Sequence, residues 1–404
     1  MEAHLKFSAF SGSKVHLGVS GSISAYKALD LLRAWQDIGL SVSATLTESA
    51  QKFVSAMSFS ALGANPVYKH MFAEGEDPLA HLEPGVKCDA MVIAPASATT
   101  LARLASGLAD EMLSAQALAC DRPLAVAPAM NPRMWSNLGT QANWDTLLQR
   151  GVYGITPALG RTACMECGEG RLADLREIFL APLYCLAQKD LSGLSVLLTL
   201  GPTREFWDGV RFLSNPSSGI MGSALAIAAY LRGAKVTAVC GPGAPWLPKG
   251  ITRVEITSAL DMEQACFDVF ESSDIACFCA AVADFRPAEQ QGGKVKKAEM
   301  AERPSLALAA NPDILFTLGH KKSTAQKIIA FAAETENLAE NALAKLKRKN
   351  ADILVANLVN RADSGFGSAQ NQVTIFDRRG REENLPLLPK PDVAWKIWDF
   401  CQQL

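Results

Sequence analysis

The sequence predicts an α/β protein built from two doubly wound, Rossmann-like domains. Two observations carry that expectation. A short apolar run, a turn rich in Gly, Pro or Ser and an amphipathic helix recur along the whole chain, which is the rhythm of parallel sheets covered on both faces. The rhythm restarts near Lys189–Asp190–Leu191, and 404 residues exceed what one such domain usually needs. The expected domains are therefore residues 1–190 and 191–404.

The elements follow in order. VHLGVSG (15–21) reads as a buried strand and residues 24–39 as its helix, with Ala28, Leu31, Leu32, Trp35 and Ile38 at helical spacing. Further strands are expected at 41–47, 89–97, 123–130 and 151–158. The second series opens with a strand and loop at 194–205, a helix at 217–234 and a strand at 235–243. Strands at 254–257, 275–284, 327–335 and 351–359 complete it. Residues 371–385 alternate in polarity and carry charged turn residues, which predicts a late hairpin.

Composition narrows the function. The chain is 49% hydrophobic and 20% charged with a net charge of −2, so nothing draws it to nucleic acid or an anionic membrane. The N-terminus lacks the apolar core of a signal peptide, and no run of about 20 apolar residues occurs. Ten irregularly spaced cysteines suit free thiols in a reducing compartment. A cytoplasmic protein is expected.

In the first half, GVSGSISAYK (18–27) crowds Gly18, Ser20, Gly21, Ser22 and Ser24 into a strand-to-helix turn. Backbone N–H groups there, aided by hydroxyls, would cradle one phosphate. The spacing is not G-x-G-x-x-G, which favours a mononucleotide, although such a turn is as often only a tight turn. PASATT (95–100), with Ser97 and Thr99, and PAMN (128–131) end two more strands. Three loops at one sheet edge shift the balance toward a bound cofactor. His81 precedes the strand that ends in PAS, but a lone surface histidine is common. Cys164 and Cys167 form a C-x-x-C without a matching second pair, so a metal site is a poor reading. With Gly168 and Gly170 close by, a flap carrying one functional cysteine suits the composition better.

Together these pieces resemble the flavin-dependent family that decarboxylates phosphopantothenoylcysteine. The resemblance covers nearly the whole first half. It implies a flavodoxin-like domain binding FMN, with Gly21, Ser22, Ser97 and Thr99 on the cofactor. It also implies an essential His81, Asn131 on the substrate carboxylate, and Cys164 as proton donor. Oxidation of the cysteinyl thiol to a thioaldehyde eases loss of carbon dioxide, and a proton from Cys164 helps return a saturated thiol. One departure is Met165, where the family usually has Gly, and it bears on flap mobility.

In the second half, residues 201–222 offer Thr203, Arg204, Arg211, Asn215, Ser217, Ser218 and Gly219, a set able to hold phosphate and carboxylate together. AAVADFRP (280–287) leads into GGKVKK (292–297), where Lys294, Lys296 and Lys297 beside two glycines suggest a cationic flap. Standing alone, that run would read as a solvated charge cluster. Lys345 and Lys349 share one face of a predicted helix, as surface lysines often do.

With NPDI (311–314), AFAAET (330–335) and VAN (355–357), these motifs closely resemble phosphopantothenate–cysteine ligase, in order, over most of residues 191–376. The resemblance implies CTP as co-substrate. Asp284, Lys294, Asn311, Pro312, Asp313, Ile314, Phe331, Lys345 and Lys349 would bind the nucleotide, and Asn215 would form or hold an acyl-cytidylate. Lysines, Lys294 among them, and Mg²⁺ would offset the developing charge, with no metal ligands assigned. Ala369 and Leu358 depart from the family pattern. The relatives imply a homo-oligomer, trimeric through the FMN domain and dimeric through the ligase domain, acting on small molecules only. Two other readings weigh less. A flavin prenyltransferase lacks the combination of His81, PAMN and Cys164, and a regulatory flavoprotein need not keep those residues.

Overall fold

Each half of the chain is organised around its own parallel sheet. The structure, a computed structural model, describes residues 1–72, 78–296, 305–334, 338–358 and 368–403. The chain divides into two units, one of Ser8–Ala187 and one of Gln188–Leu404 joined by Glu2–Phe7.

The first unit contains β1 (Lys14–Val19), β2 (Ser41–Leu46), β3 (Val67–Tyr68), β4 (Ala90–Ala96), β5 (Leu124–Pro128) and β6 (Tyr153–Gly154). They pair in parallel in the order β3-β2-β1-β4-β5-β6. The helices are α1 (Lys27–Gln36), α2 (Ala56–Ala61), α3 (Glu83–Lys87), α4 (Ala98–Ser106), α5 (Met112–Ala119), α6 (Pro132–Trp135), α7 (Leu138–Gln149) and α8 (Leu175–Leu186). A hairpin of β7 (Ala158–Arg161) and β8 (Cys167–Arg171) stands outside the sheet. Every residue of β4 is buried because helices cover both faces. Ala28, Leu31, Leu32 and Trp35 form the buried stripe of α1, and Trp35 Nε1 donates to the Phe179 carbonyl of α8 at 3.0 Å. A side chain of that size buried in this way contributes roughly 1.5–3 kcal/mol. Without the two-residue β3, the order is flavodoxin-like, and the direction of winding reverses between β1 and β4.

The second unit begins with β9 (Ser195–Leu200), then a short ribbon of β10 (Glu205–Phe206) and β11 (Phe212–Leu213), followed by α9 (Ile220–Leu231), β12 (Lys235–Cys240), β13 (Thr252–Glu255) and α10 (Ala259–Phe270). Next come β14 (Ile275–Phe278), the pair β15 (Phe285–Pro287) and β16 (Leu308–Ala310), α11 (Ile314–Lys321), β17 (Lys327–Glu334), α12 (Leu338–Arg348) and β18 (Ile353–Leu358). The chain ends with β19 (Gln370–Asn371), the hairpin β20 (Val373–Asp377) and β21 (Glu382–Asn384), β22 (Leu388–Pro389) and α13 (Lys390–Gln402). The sheet order is β13-β12-β9-β14-β17-β18-β20-β21. Six strands are parallel in Rossmann order, and the late hairpin closes one edge antiparallel.

Three expectations change. The strand expected at 151–158 is only Tyr153–Gly154, and the chain beyond it enters the hairpin. The strand expected at 275–284 stops at Phe278, because the N–H groups that follow are taken by the β9 loop. Ala281 N donates to Gly201 O (2.9 Å) and Ala283 N to Thr203 Oγ1 (3.0 Å). Glu2–Phe7, expected in the first domain, pack in the second unit. Helix α9 is apolar almost all round, so it needs cover on its outer face. Trp398 of α13 donates from Nε1 to Leu225 O at 3.0 Å, and Phe7 packs edge-on against Trp395 at 6.0 Å.

Candidate active sites

In open α/β sheets ligands bind where the winding reverses, and in the first unit that point lies between β1 and β4. Ser20 fastens the two loops there. Its N–H and hydroxyl both donate to Pro95 O (3.1 and 2.9 Å), and its Oγ accepts from Ser97 N (2.7 Å). Ser22 caps the turn Ile23–Tyr26, accepting from Ser24 N at 3.4 Å, and Ser97 caps α4, accepting from Thr100 N at 3.2 Å. Thr99 is exposed on the first turn of α4. A Cβ on Gly21 would lie 2.5 Å from Ser49 Cβ, so no side chain fits that approach. Free first-turn N–H groups beside serine hydroxyls suit a phosphomonoester, the anionic end of a mononucleotide.

The hairpin β7–β8 docks on PAMN. Met130 N donates to Gly170 O at 2.8 Å, and a Cβ on Gly170 would stand 2.6 Å from Met130 O. Asn131 caps α6 through Oδ1, which accepts from Arg133 N at 2.8 Å. That fixes its Nδ2 toward the flap, where it donates to Cys164 Sγ (3.0 Å) and Glu166 Oε2 (2.9 Å). The other Glu166 oxygen pairs with Arg133 at 2.8 Å. Thr162 Oγ1 lies 3.0 Å from Cys164 Sγ. The Thr162 hydroxyl, the Glu166 N–H and the Asn131 amide hold the exposed Cys164 thiol below its ordinary pKa. A lowered pKa makes a better acid. Met165 has a φ of 65°, a left-handed conformation that Gly takes at no steric cost. The structure thus joins Asn131 to Cys164. His81 lies half-buried on the turn before α3, with no hydrogen bond to that pair among the described residues.

The second switch point lies between β9 and β14. Asn215 Nδ2 donates to Val282 O at 2.9 Å, and Ser214 Oγ to Thr203 O at 2.6 Å, which ties the two loops together. Asn311 continues the lattice, donating to Ala283 O at 2.8 Å, while its Oδ1 accepts from Arg286 at 3.2 Å. Asp313 caps α11, accepting from Phe316 N at 3.0 Å, and pairs with Lys349. Burial pushes the Asp313 carboxyl up, but Lys349 and the Phe316 N–H outweigh it and leave the pKa below its ordinary value. Asn215, Asn311, Asp313 and Lys349 line a cavity of about 560 Å³, which also takes in Asp284, Pro312, Ile314, Phe331 and Lys345.

Lys294 is not among the cavity-lining residues. It is exposed on a loop anchored where Val295 N donates to Asp208 Oδ2 at 3.3 Å. Lys296 is exposed on the same loop, and Lys297 lies outside the described residues. Among the cavity residues that the sequence reading did not name as site residues are Lys390, Asn371 and Asn357, the last noted only within its motif. Lys390 opens α13, where the helix dipole disfavours a cation, and burial lowers its pKa. A lysine just before Pro391 was the one available signal. The Oδ1 atoms of Asn357 and Asn371 are buried without a hydrogen-bond partner, so the wall presents acceptors as well as cations. No three His, Cys, Asp or Glu side chains among the described residues are grouped to hold a metal.

A serine-lined switch point with a thiol flap at the next strand end, and a cation-lined cavity at the second switch point, define a two-domain enzyme that joins a flavoprotein fold to a nucleotide-binding fold. Residues 8–181 match the family described as Flavoprotein, and residues 191–404 match the DNA/pantothenate metabolism flavoprotein C-terminal domain. The coenzyme A biosynthesis bifunctional protein CoaBC of Vibrio cholerae is 38% identical over 98% of this chain and 99% of its own length. That of Bacillus subtilis is 40% identical over 95% of both. A crystal structure of the C-terminal domain of such a protein is 38% identical, covers 54% of this chain and 97% of that one, and has a TM-score of 0.46. The chain belongs to the family of coenzyme A biosynthesis bifunctional proteins. It is a flavoprotein enzyme with two activities, phosphopantothenate–cysteine ligase and phosphopantothenoylcysteine decarboxylase.

Proposed function

We propose that the second unit makes phosphopantothenoylcysteine with CTP and Mg²⁺, and that the first unit decarboxylates it with FMN. The gathering of Asn215, Asp284, Asn311, Asp313, Lys345 and Lys349 around one cavity carries the ligase half of this reading. There the carboxylate of 4′-phosphopantothenate attacks the α-phosphate of CTP and expels pyrophosphate. The amine of cysteine then displaces CMP from the acyl-cytidylate. Lys345, Lys349 and Lys390 face the polyphosphate and offset its charge, and Lys294 completes the set from its exposed loop. Asn215, fixed by Val282 O, orients the carboxylate. Mg²⁺ commonly keeps waters and rides on substrate phosphates with one or two carboxylates, so Asp284 is enough as a protein ligand.

In the first unit Gly21, Ser22, Ser97 and Thr99 would hold the phosphate of FMN, which when bound supplies the two-electron oxidation and re-reduction of the substrate thiol. Asn131 binds the departing carboxylate, His81 assists at the thiol, and Cys164 delivers the final proton. The hydrogen bonds that lower the pKa of Cys164 suit that role. No helix among the described residues is long and apolar enough to cross a membrane, and the reading places the protein in the cytoplasm, trimeric through the first unit and dimeric through the second. Carboxylate-labelled [¹⁸O]phosphopantothenate tests the ligase step. One ¹⁸O should appear in CMP, whereas label in pyrophosphate or in neither product contradicts an acyl-cytidylate. The same mixture with ATP tests nucleotide choice, and light scattering tests the assembly.

A further inference from the structure

We propose that His16 is a positioning residue for decarboxylation, acting on His81 through a directed chain of buried hydrogen bonds. The inference rests on the reading that His81 serves that reaction. His16 stands on β1, fully buried, where the sequence pattern asks only for an apolar residue. Its Nδ1 lies 2.8 Å from Ser43 Oγ and its Nε2 lies 2.9 Å from Thr45 Oγ1, both on β2. Thr45 Oγ1 donates to Gln116 Oε1 at 2.5 Å, and Gln116 Nε2 donates to Ala80 O at 3.1 Å.

The direction of the chain follows from its far end. A carbonyl only accepts, so Gln116 turns its NH₂ to Ala80 and its oxygen to Thr45. The one Thr45 proton is then committed to Gln116, so Thr45 must accept from His16 Nε2–H. Burial keeps the ring neutral, taking its pKa from 6.5 to about 3. Nδ1 of the neutral ring therefore accepts from the Ser43 hydroxyl. Each side chain in the series is bonded to the next, which is what lets a polar chain persist inside a sheet.

Its end point is specific. The Ala80 carbonyl belongs to the peptide unit that also contains the His81 N–H, so holding that oxygen fixes the plane from which the His81 side chain projects. A second tether lies close by. The Tyr68 ring is 5.9 Å from that of His16, and its hydroxyl donates to Glu83 at the start of α3. Tyr68, Ala80 and Met112 form a small apolar cluster around these anchors.

The test uses the full-length, FMN-loaded protein. Thr45→Val deletes the relay hydroxyl at nearly constant shape, Gln116→Met cuts the last link, and Thr45→Ser restores the hydroxyl. Decarboxylation kcat and KM are measured with phosphopantothenoylcysteine, with flavin absorbance and ligase rate read on the same preparations. Thr45→Val and Gln116→Met should each lower kcat about tenfold, below the cost of a full ångström of misplacement. KM, flavin binding and ligase rate should hold, Thr45→Ser should recover kcat, and neither loss should add to that of His81→Asn. The inference is overturned if His81→Asn abolishes decarboxylation while both relay variants keep full kcat, if their losses add to it, or if they shed the flavin. If His81→Asn leaves kcat intact, the reading of His81 itself fails first.

Discussion

Both units have candidate site residues where the winding reverses, but the first unit adds a set one strand further along, at the end of β5, and the two sets are prepared differently. In the first unit the polar side chains meet one another: Asn131 reaches both Cys164 and Glu166, and Arg133 closes the set. In the second they face a cavity of about 560 Å³, whose wall includes the unpartnered oxygens of Asn357 and Asn371. The difference matches the proposed chemistry. A flap that protonates a small intermediate works through a few short contacts, whereas a ligase must surround a triphosphate and two more substrates. The same sheet order therefore does not predict the reaction, which resides in the loops.

The comparison can be broken most decisively at its thiol. Cys164→Ser should lower phosphopantetheine formation by about 10³-fold, within the usual range for losing a positioned acid, while CMP release persists. Loss of both activities would mean that the sites are not separate. On the other side, Lys390→Met should reduce ligation roughly thirtyfold, the scale of one charge-assisted hydrogen bond of about 2 kcal/mol. Decarboxylation of supplied phosphopantothenoylcysteine should be unaffected. An unchanged ligation rate would remove Lys390 from the site.

A pH profile sharpens the first site further. A thiol that must give up a proton fails once ionised, so decarboxylation should fall as pH rises through the pKa of Cys164, which lies below the ordinary thiol value. Thr162→Val removes the leading contact that favours the thiolate, so the alkaline limb should move to higher pH. A limb that stays put would separate Cys164 from the proton transfer. The smallest effect is expected at Met165. Met165→Gly relieves a left-handed residue at the flap tip and should change stability by about 1 kcal/mol or less, since the glycine also gains freedom when unfolded. Thermal unfolding reads that difference, and decarboxylation kcat should stay within about twofold of the parent chain, well under one kcal/mol in barrier.

Much of this was legible because strand ends can be read from a sequence. Ser20, Ser97 and Asn131 close apolar runs, and the loops they sit in converge through bonds such as Ser97 N to Ser20 Oγ at 2.7 Å. Cys164 stood out through its glycines. His16 did not, because within VHLGV (15–19) a histidine reads as a flaw in a strand until its two hydroxyl partners on β2 are seen. Lys390 was hidden for a related reason: only the fold turns the start of a last helix into a cavity wall. Glu2–Phe7 carry no period that could assign them to either unit, and the apolar surface of α9 decides it. Lys294 shows the reverse. A motif marked it as part of the site, but its backbone is tied to the Asp208 turn rather than to the cavity.

The most direct measurement is a mass-resolved assay of the purified, FMN-loaded chain with 4′-phosphopantothenate, cysteine, Mg²⁺ and CTP. The account predicts phosphopantetheine and CMP appearing in equal amounts, with phosphopantothenoylcysteine as a transient. Phosphopantothenoylcysteine that accumulates without further change would contradict the decarboxylase site, and the absence of any CMP would contradict the ligase site.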